Sequence, residues 1–232
     1  GQLSYTYDVT DITDVATDAS PIIQETAGIT KESRIGLELV HSSLNKLINT
    51  TSGNREQFDT TFVGGPLGGN VDYYGFEFKG SQFYPIFEAQ AQVLSVIGRV
   101  GVKQNYGRSD TVPYFDRYFL GGPYDLRGFE YRGVGPKDVN DEPIGGKSYG
   151  LFSLEYSLDI VNPIRFAFFY DNGFVNSGAY DFNPGNYNDD FGFGLRLFIL
   201  GAPLSLDYGI PITGDATNKK GGQFNFSFGT RF

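Results

Sequence analysis

The sequence predicts an all-β protein, an antiparallel transmembrane β-barrel of about ten strands, and three observations carry that prediction. Segments alternate apolar and polar residues with a period of two. The apolar parity is heavily aromatic, and the connections between segments alternate short with long. The 232 residues include 22 Phe, 16 Tyr and 32 Gly with only 19% charged residues, the composition of aromatic strands joined by glycine-bearing turns.

The first five strands are expected at Leu3 to Val9, Ile35 to Leu39, Phe58 to Phe62, Tyr74 to Ile86 and Leu94 to Val102, where alternation is present but interrupted. From Phe152 to Ile160 it is unbroken: Phe152, Leu154, Tyr156, Leu158 and Ile160 share one face, and Ser153, Glu155, Ser157 and Asp159 the other. A seventh strand follows at Ile164 to Tyr170. The pattern returns with Phe191, Phe193, Leu195, Leu197 and Ile199, and again with Leu204, Leu206, Tyr208, Ile210 and Ile212. The last strand sets Phe224, Phe226, Phe228 and Phe232 against Gln223, Asn225, Ser227 and Arg231. All 232 residues are expected to form one barrel domain.

A soluble sandwich would give the same alternation. The aromatic weight of the apolar faces, the uneven connectors and the terminal Phe favour the barrel. Its polar parity would face a lumen and carries Glu77, Lys79, Arg99, Glu155, Arg165, Asp171, Arg196 and Asp207. No 18-residue apolar stretch exists, which excludes a transmembrane helix and leaves a barrel open.

Other classes fall away. A formal charge of −9 and a longest basic run of Lys219-Lys220 argue against nucleic acid as a partner. With no cysteine there is no disulfide framework or thiolate metal site, and neither metal nor cofactor is expected. His41 is the only histidine, beside Ser42 and Ser43, but adjacent strand residues point to opposite faces, so base and nucleophile would not meet. An outer-membrane enzyme is therefore disfavoured. Gly64 to Gly69 lacks the lysine and helix of a phosphate cradle and reads as a hairpin loop. The start, GQLSYTYDVT, has no signal-peptide character and the chain has no methionine, the expectation for a processed or cut fragment.

The connection from Gly107 to Lys147, roughly 40 residues, is far longer than an ordinary loop and so is expected to be functional. It holds Tyr118-Phe119-Leu120-Gly121-Gly122-Pro123-Tyr124-Asp125-Leu126-Arg127-Gly128-Phe129 and then Gly133-Val134-Gly135-Pro136-Lys137-Asp138. The run Leu126-Arg127-Gly128-Phe129 resembles the [V/I/L]-R-G-[F/Y] element in the sixth extracellular loop of the barrel-assembly and two-partner-secretion transporter superfamily. Phe169-Tyr170-Asp171-Asn172-Gly173-Phe174-Val175 resembles its F-x-D-x-G-x-V element, and the ending through FNFSFGTRF is similar to its last three strands. The resemblance is firm over roughly residues 70 to 232 and looser before.

The resemblance implies a sixteen-stranded barrel preceded by POTRA domains, of which this chain would supply strands seven to sixteen. It implies a cell outer membrane location and a lipid surround. The implied function is insertion and folding of unfolded outer-membrane proteins, with accessory lipoproteins as partners, through a lateral gate whose last strand carries Phe224, Phe226, Phe228 and Phe232. A TamA-like or two-partner secretion transporter is the alternative; a porin is less favoured because the loop would plug its pore. A guanidinium folded into the lumen needs carboxylates in fork geometry. Arg127 is accordingly expected to reach Glu155, Asp171 or both, the two forming a lumen anchor.

Overall fold

The computed structural model describes residues 1–87, 92–161, 164–199, 202–214 and 221–231. Its strands are β1 (Gln2–Ile12), β2 (Gly28–Ser42), β3 (Gly53–Val63), β4 (Tyr73–Phe87), β5 (Gln92–Asn105), β6 (Ser148–Val161), β7 (Ile164–Asn176), β8 (Asn188–Ile199), β9 (Ala202–Thr213) and β10 (Gln223–Phe228). They form a single ten-stranded sheet in chain order, every neighbouring pair antiparallel. Among the described residues no ladder joins β1 to β10, so the sheet is open. Outside the sheet, the described residues include a short helix, α1 (Pro21–Glu25), in the β1–β2 connection, and single helical turns at Gly65–Leu67, Tyr114–Asp116 and Pro184–Asn186.

Alternation sorts the side chains as the sequence predicts. Phe152, Phe168, Phe193 and Tyr208 lie exposed on the outer face, while Ser153, Ala167, Phe169, Asp171, Arg196 and Asp207 on the opposite parity are buried. Outer-face rings stack across strands: Phe166 and Phe193 have centroids 6.4 Å apart, Phe193 and Tyr208 5.9 Å. Such cross-strand aromatic pairs contribute roughly 0.2–1 kcal/mol each. Replacing Phe193 with arginine is expected to cost about 2–4 kcal/mol if the face lies at mid-membrane, measured by urea unfolding from lipid vesicles. A loss no larger in vesicles than in a detergent-free buffer would deny lipid contact at this position.

On the lumen side, charge pairing sets the register. Asp59 on β3 stands opposite Glu77 on β4, a like-charge pair that would destabilise the ladder. Lys79 offsets it, with Nζ 3.2 Å from Asp59 and 3.0 Å from Glu77.

The strands differ from expectation mainly at their ends. β2 begins at Gly28 rather than Ile35, because Glu32 and Ser33, on opposite faces of the strand, are both buried polar residues and the apolar alternation is lost there. β10 stops at Phe228: Gly229 adopts φ 96°, its N–H still donating to Pro203 O at 2.9 Å, and the chain then turns inward. Phe232 lies outside the described residues, as do residues 88–91, 162–163, 200–201 and 215–220. Gly64 to Gly69 is a turn in the β3–β4 connection, and His41 stands in the β2–β3 ladder opposite Glu56.

Candidate functional site

The β5–β6 connection folds into the concave side of the sheet. Tyr118 bridges Gly146 and Leu120 bridges Val134, so the loop doubles back as a rough hairpin. At its tip Gly121 and Gly122 take φ 108° and 102°, which side-chain-bearing residues rarely adopt. The Gly122 N–H lies 3.1 Å from both Leu126 O and Phe129 O, and Phe129 N donates to Leu126 O. This tight turn aims Leu126 and Phe129 into a small apolar core with Leu120, Val134, Tyr149, Leu151 and Val175. Each fully buried Leu or Phe stabilises the docked loop by roughly 1.5–3 kcal/mol.

Between those two anchoring side chains sits Arg127, fully buried. Nε lies 2.7 Å from Asp171 Oδ2 and Nη2 3.0 Å from Asp171 Oδ1, a two-point fork. Nη1 lies 2.5 Å from Glu155 Oε2 and 3.7 Å from Asp207 Oδ1. The guanidinium carbon stands 3.4 Å from the centroid of the Phe169 ring. The structure thus brings together Arg127 on the loop, Glu155 on β6 and Asp171 on β7.

Sequence reasoning missed the rest of the cluster. Arg196 on β8 donates to Glu155 and Asp207, both at 2.7 Å. Past Gly229, Arg231 enters the same space: Nη2 lies 3.5 Å from Asp171 Oδ1 and 2.7 Å from the Asp125 carbonyl, and Nη1 3.1 Å from Ser153 Oγ. Three carboxylates, Glu155, Asp171 and Asp207, therefore meet three guanidiniums, Arg127, Arg196 and Arg231, and the buried Asp190 lies beside them against Gly128. Burying the guanidiniums and their partners is tolerable only because each is paired and hydrogen-bonded. Burial pushes the Asp125 carboxyl up, opposed by the nearby Arg99 and Arg231 guanidiniums. Asp72 in the β3–β4 connection is held down at about 2 by Arg108 at the start of the long loop and by the Gly65 N–H.

The seat for the loop is made by glycines on the lumen parity. A Cβ on Gly209 would fall 2.5 Å from Arg127 C and Gly128 N, one on Gly128 2.4 Å from Asp190 Cβ, and one on Gly173 2.8 Å from Leu120 Cδ1. Glycine recurring on the wet face of consecutive strands is the signal that would have marked this surface in advance.

The expected strand residues Phe224, Phe226 and Phe228 sit on the outer face of β10, 55–68% exposed, the other face of the strand touching the loop. Asn225 Nδ2 donates to Arg127 O at 2.6 Å, and Tyr124 Oη to Phe228 O at 2.6 Å. Among the described residues no group of three or more His, Cys, Asp or Glu is arranged to hold a metal ion. What the arrangement supplies is charge neutralisation and shape: it fixes a long loop against five strands.

A model of the Omp85 superfamily domain matches residues 1–232. The chain belongs to the Omp85 superfamily. Within Omp85 it is 31% identical over 176 residues to the outer membrane protein assembly factor BamA of Neorickettsia risticii, covering 74% of this chain and 23% of that one. It is 27% identical over 240 residues to BamA of Nitratidesulfovibrio vulgaris, covering 98% and 29%. It is 30% identical to the SAM50-like protein CG7639 of Drosophila melanogaster, covering 72% and 38%. The chain therefore spans less than half the length of these Omp85 relatives. Its fold is that of a Haemophilus ducreyi BamA crystal structure lacking POTRA domains 1-3, with TM-score 0.75 at 22% identity, covering 85% of this chain and 42% of that one. CdiB from Acinetobacter baumannii is less similar, with TM-score 0.57 at 18% identity, covering 86% and 33%.

Proposed function

We propose that this Omp85 chain is barrel wall of a cell outer-membrane assembly factor, which inserts and folds β-barrel proteins by pairing their strands with the free edge of β10. In this reading Leu126, Arg127, Gly128 and Phe129 dock the loop, Glu155 and Asp171 anchor it, and Phe224, Phe226 and Phe228 present the gate strand to lipid. Partners would be outer-membrane lipid, unfolded barrel proteins and accessory lipoproteins. No chemistry is required, because the incoming strand's own hydrogen bonding supplies the free energy.

The observation that carries the reading is how β10 is held. Among the described residues it pairs with β9, and the loop supports it from the lumen through Asn225 and the Phe228 carbonyl. An unpaired edge is normally hidden or blunted. One held extended by a packed loop is suited to accept a strand.

The test is a photo-crosslinker at Phe226 in the full-length protein in cells, with one at Phe168 on the central outer face as control. Unfolded barrel precursors should be captured at Phe226 and not at Phe168. Capture of a secreted, non-barrel protein would instead support the two-partner secretion reading. Equal capture of precursors at both positions would remove the edge from the mechanism.

A further inference from the structure

We infer that Asp116 and Arg34 form a second anchor for the long loop, of reversed polarity, so that the loop is fastened to the β2–β5 part of the sheet as well as to the β6–β9 part.

Asp116 closes a single turn, Tyr114–Asp116, at the entry to the loop. Its Oδ1 lies 3.1 Å from Arg34 Nη2, and that nitrogen also lies 2.6 Å from Glu32 Oε2 and 2.9 Å from Tyr73 Oη. Lys103 Nζ donates to the Asp116 carbonyl and stands 4.8 Å over the Tyr118 ring. Residues of β2, β4 and β5 therefore converge on one loop residue. The Arg127 cluster draws instead on β6, β7, β8 and β9. At one end the wall supplies the cation and the loop the carboxylate; at the other the loop supplies the cation and the walls the carboxylates.

A simpler account would make Arg34 a wall charge that neutralises its neighbour Glu32. That leaves unexplained why the loop delivers a second carboxylate to the same guanidinium, since two carboxylates on one arginine repel unless both are held to it. The Glu32 and Asp116 side chains are only 3% and 11% exposed, so water screens that repulsion weakly. A cost of this kind is tolerated where it fixes position. The consequence is mechanical: a strut between the β2–β5 wall and the β6–β9 wall restricts changes in the curvature of the sheet that joins them.

The experiment is electron–electron distance measurement on the full-length protein in lipid, with spin labels replacing Tyr131 on the loop and Ile29 on β2, both exposed. Arg34→Met and Asp116→Asn should each broaden this distance distribution. They should also raise protease cleavage of the loop about tenfold, the effect of a modest local opening. The exchange Arg34→Asp with Asp116→Arg, which leaves Glu32 beside the loop's new cation, should restore the narrow distribution. Arg127→Met should broaden the distance from Tyr131 to Tyr187. If Arg34→Met fails to fold, Asp116→Asn tests the same bond from the loop side. An unchanged distribution in the single variants, or no recovery in the exchange, would overturn the second anchor. Because the readout is loop position, the outcome does not depend on whether the protein assembles barrels.

Discussion

Replacing Arg127 with methionine should destabilise the folded sheet by about 3–5 kcal/mol, the usual cost of leaving a buried ion partner uncompensated. Methionine retains most of the volume against Phe169, so the loss reports charge rather than packing. Asp171 would keep the Ser153 hydroxyl and the longer contact to Arg231, and Glu155 the contact to Arg196. Asp171→Asn alone should also be costly, because it breaks the fork. Combining Arg127→Met with Asp171→Asn should cost less than the two losses added, by about 1–3 kcal/mol. A double-mutant cycle from urea unfolding in detergent or vesicles measures the difference. Strict additivity would mean that the two groups lie close without stabilising one another.

The second large effect is steric. Gly209→Ala places a Cβ 2.5 Å from the backbone of Arg127 and Gly128, and backbone cannot rotate away as a side chain would. Either β9 or the loop must shift, at about 1–3 kcal/mol or more. Protease should then reach the loop in a protein that keeps its β-sheet signal by circular dichroism. Gly98→Ala is the control, since nothing lies within 4 Å of a Cβ there. Equal behaviour of the two variants would show that the loop does not rest on β9.

Much of this was legible in the chain because lipid-like and wet faces demand strict alternation. β6, β8 and β9 could be read residue by residue, and the resemblance around Arg127 led to Glu155 and Asp171. The first turns of β2 could not be read, because there the inner face packs against other protein rather than a uniform lumen, and Glu32 and Ser33 are both buried. Arg196 and Asp207 were visible as wet-face charges. Their partners were not, because strands distant in sequence are brought together only by curvature and by a loop that crosses between them. Arg231 was assigned to the wet parity of the last strand, whereas the turn at Gly229 takes it out of the ladder altogether. Backbone geometry of that kind has no periodic signature.

The order in which the chain can fold follows from where Arg127 finds its partners. Its side chain needs positions 155, 171 and 207, its carbonyl needs position 225, and the Asp171 it holds is shared with position 231. No shorter stretch contains the complete binding place, and contacts of such separation are slow to form. The loop must therefore wait, solvated, while the later strands add one after another in chain order. It can lock only when positions 225 and 231 have arrived. Until then the carboxylates of β6, β7 and β9 have Arg196 but neither Arg127 nor Arg231 among them. Seating of Arg127 is therefore a late event in the assembly of this sheet.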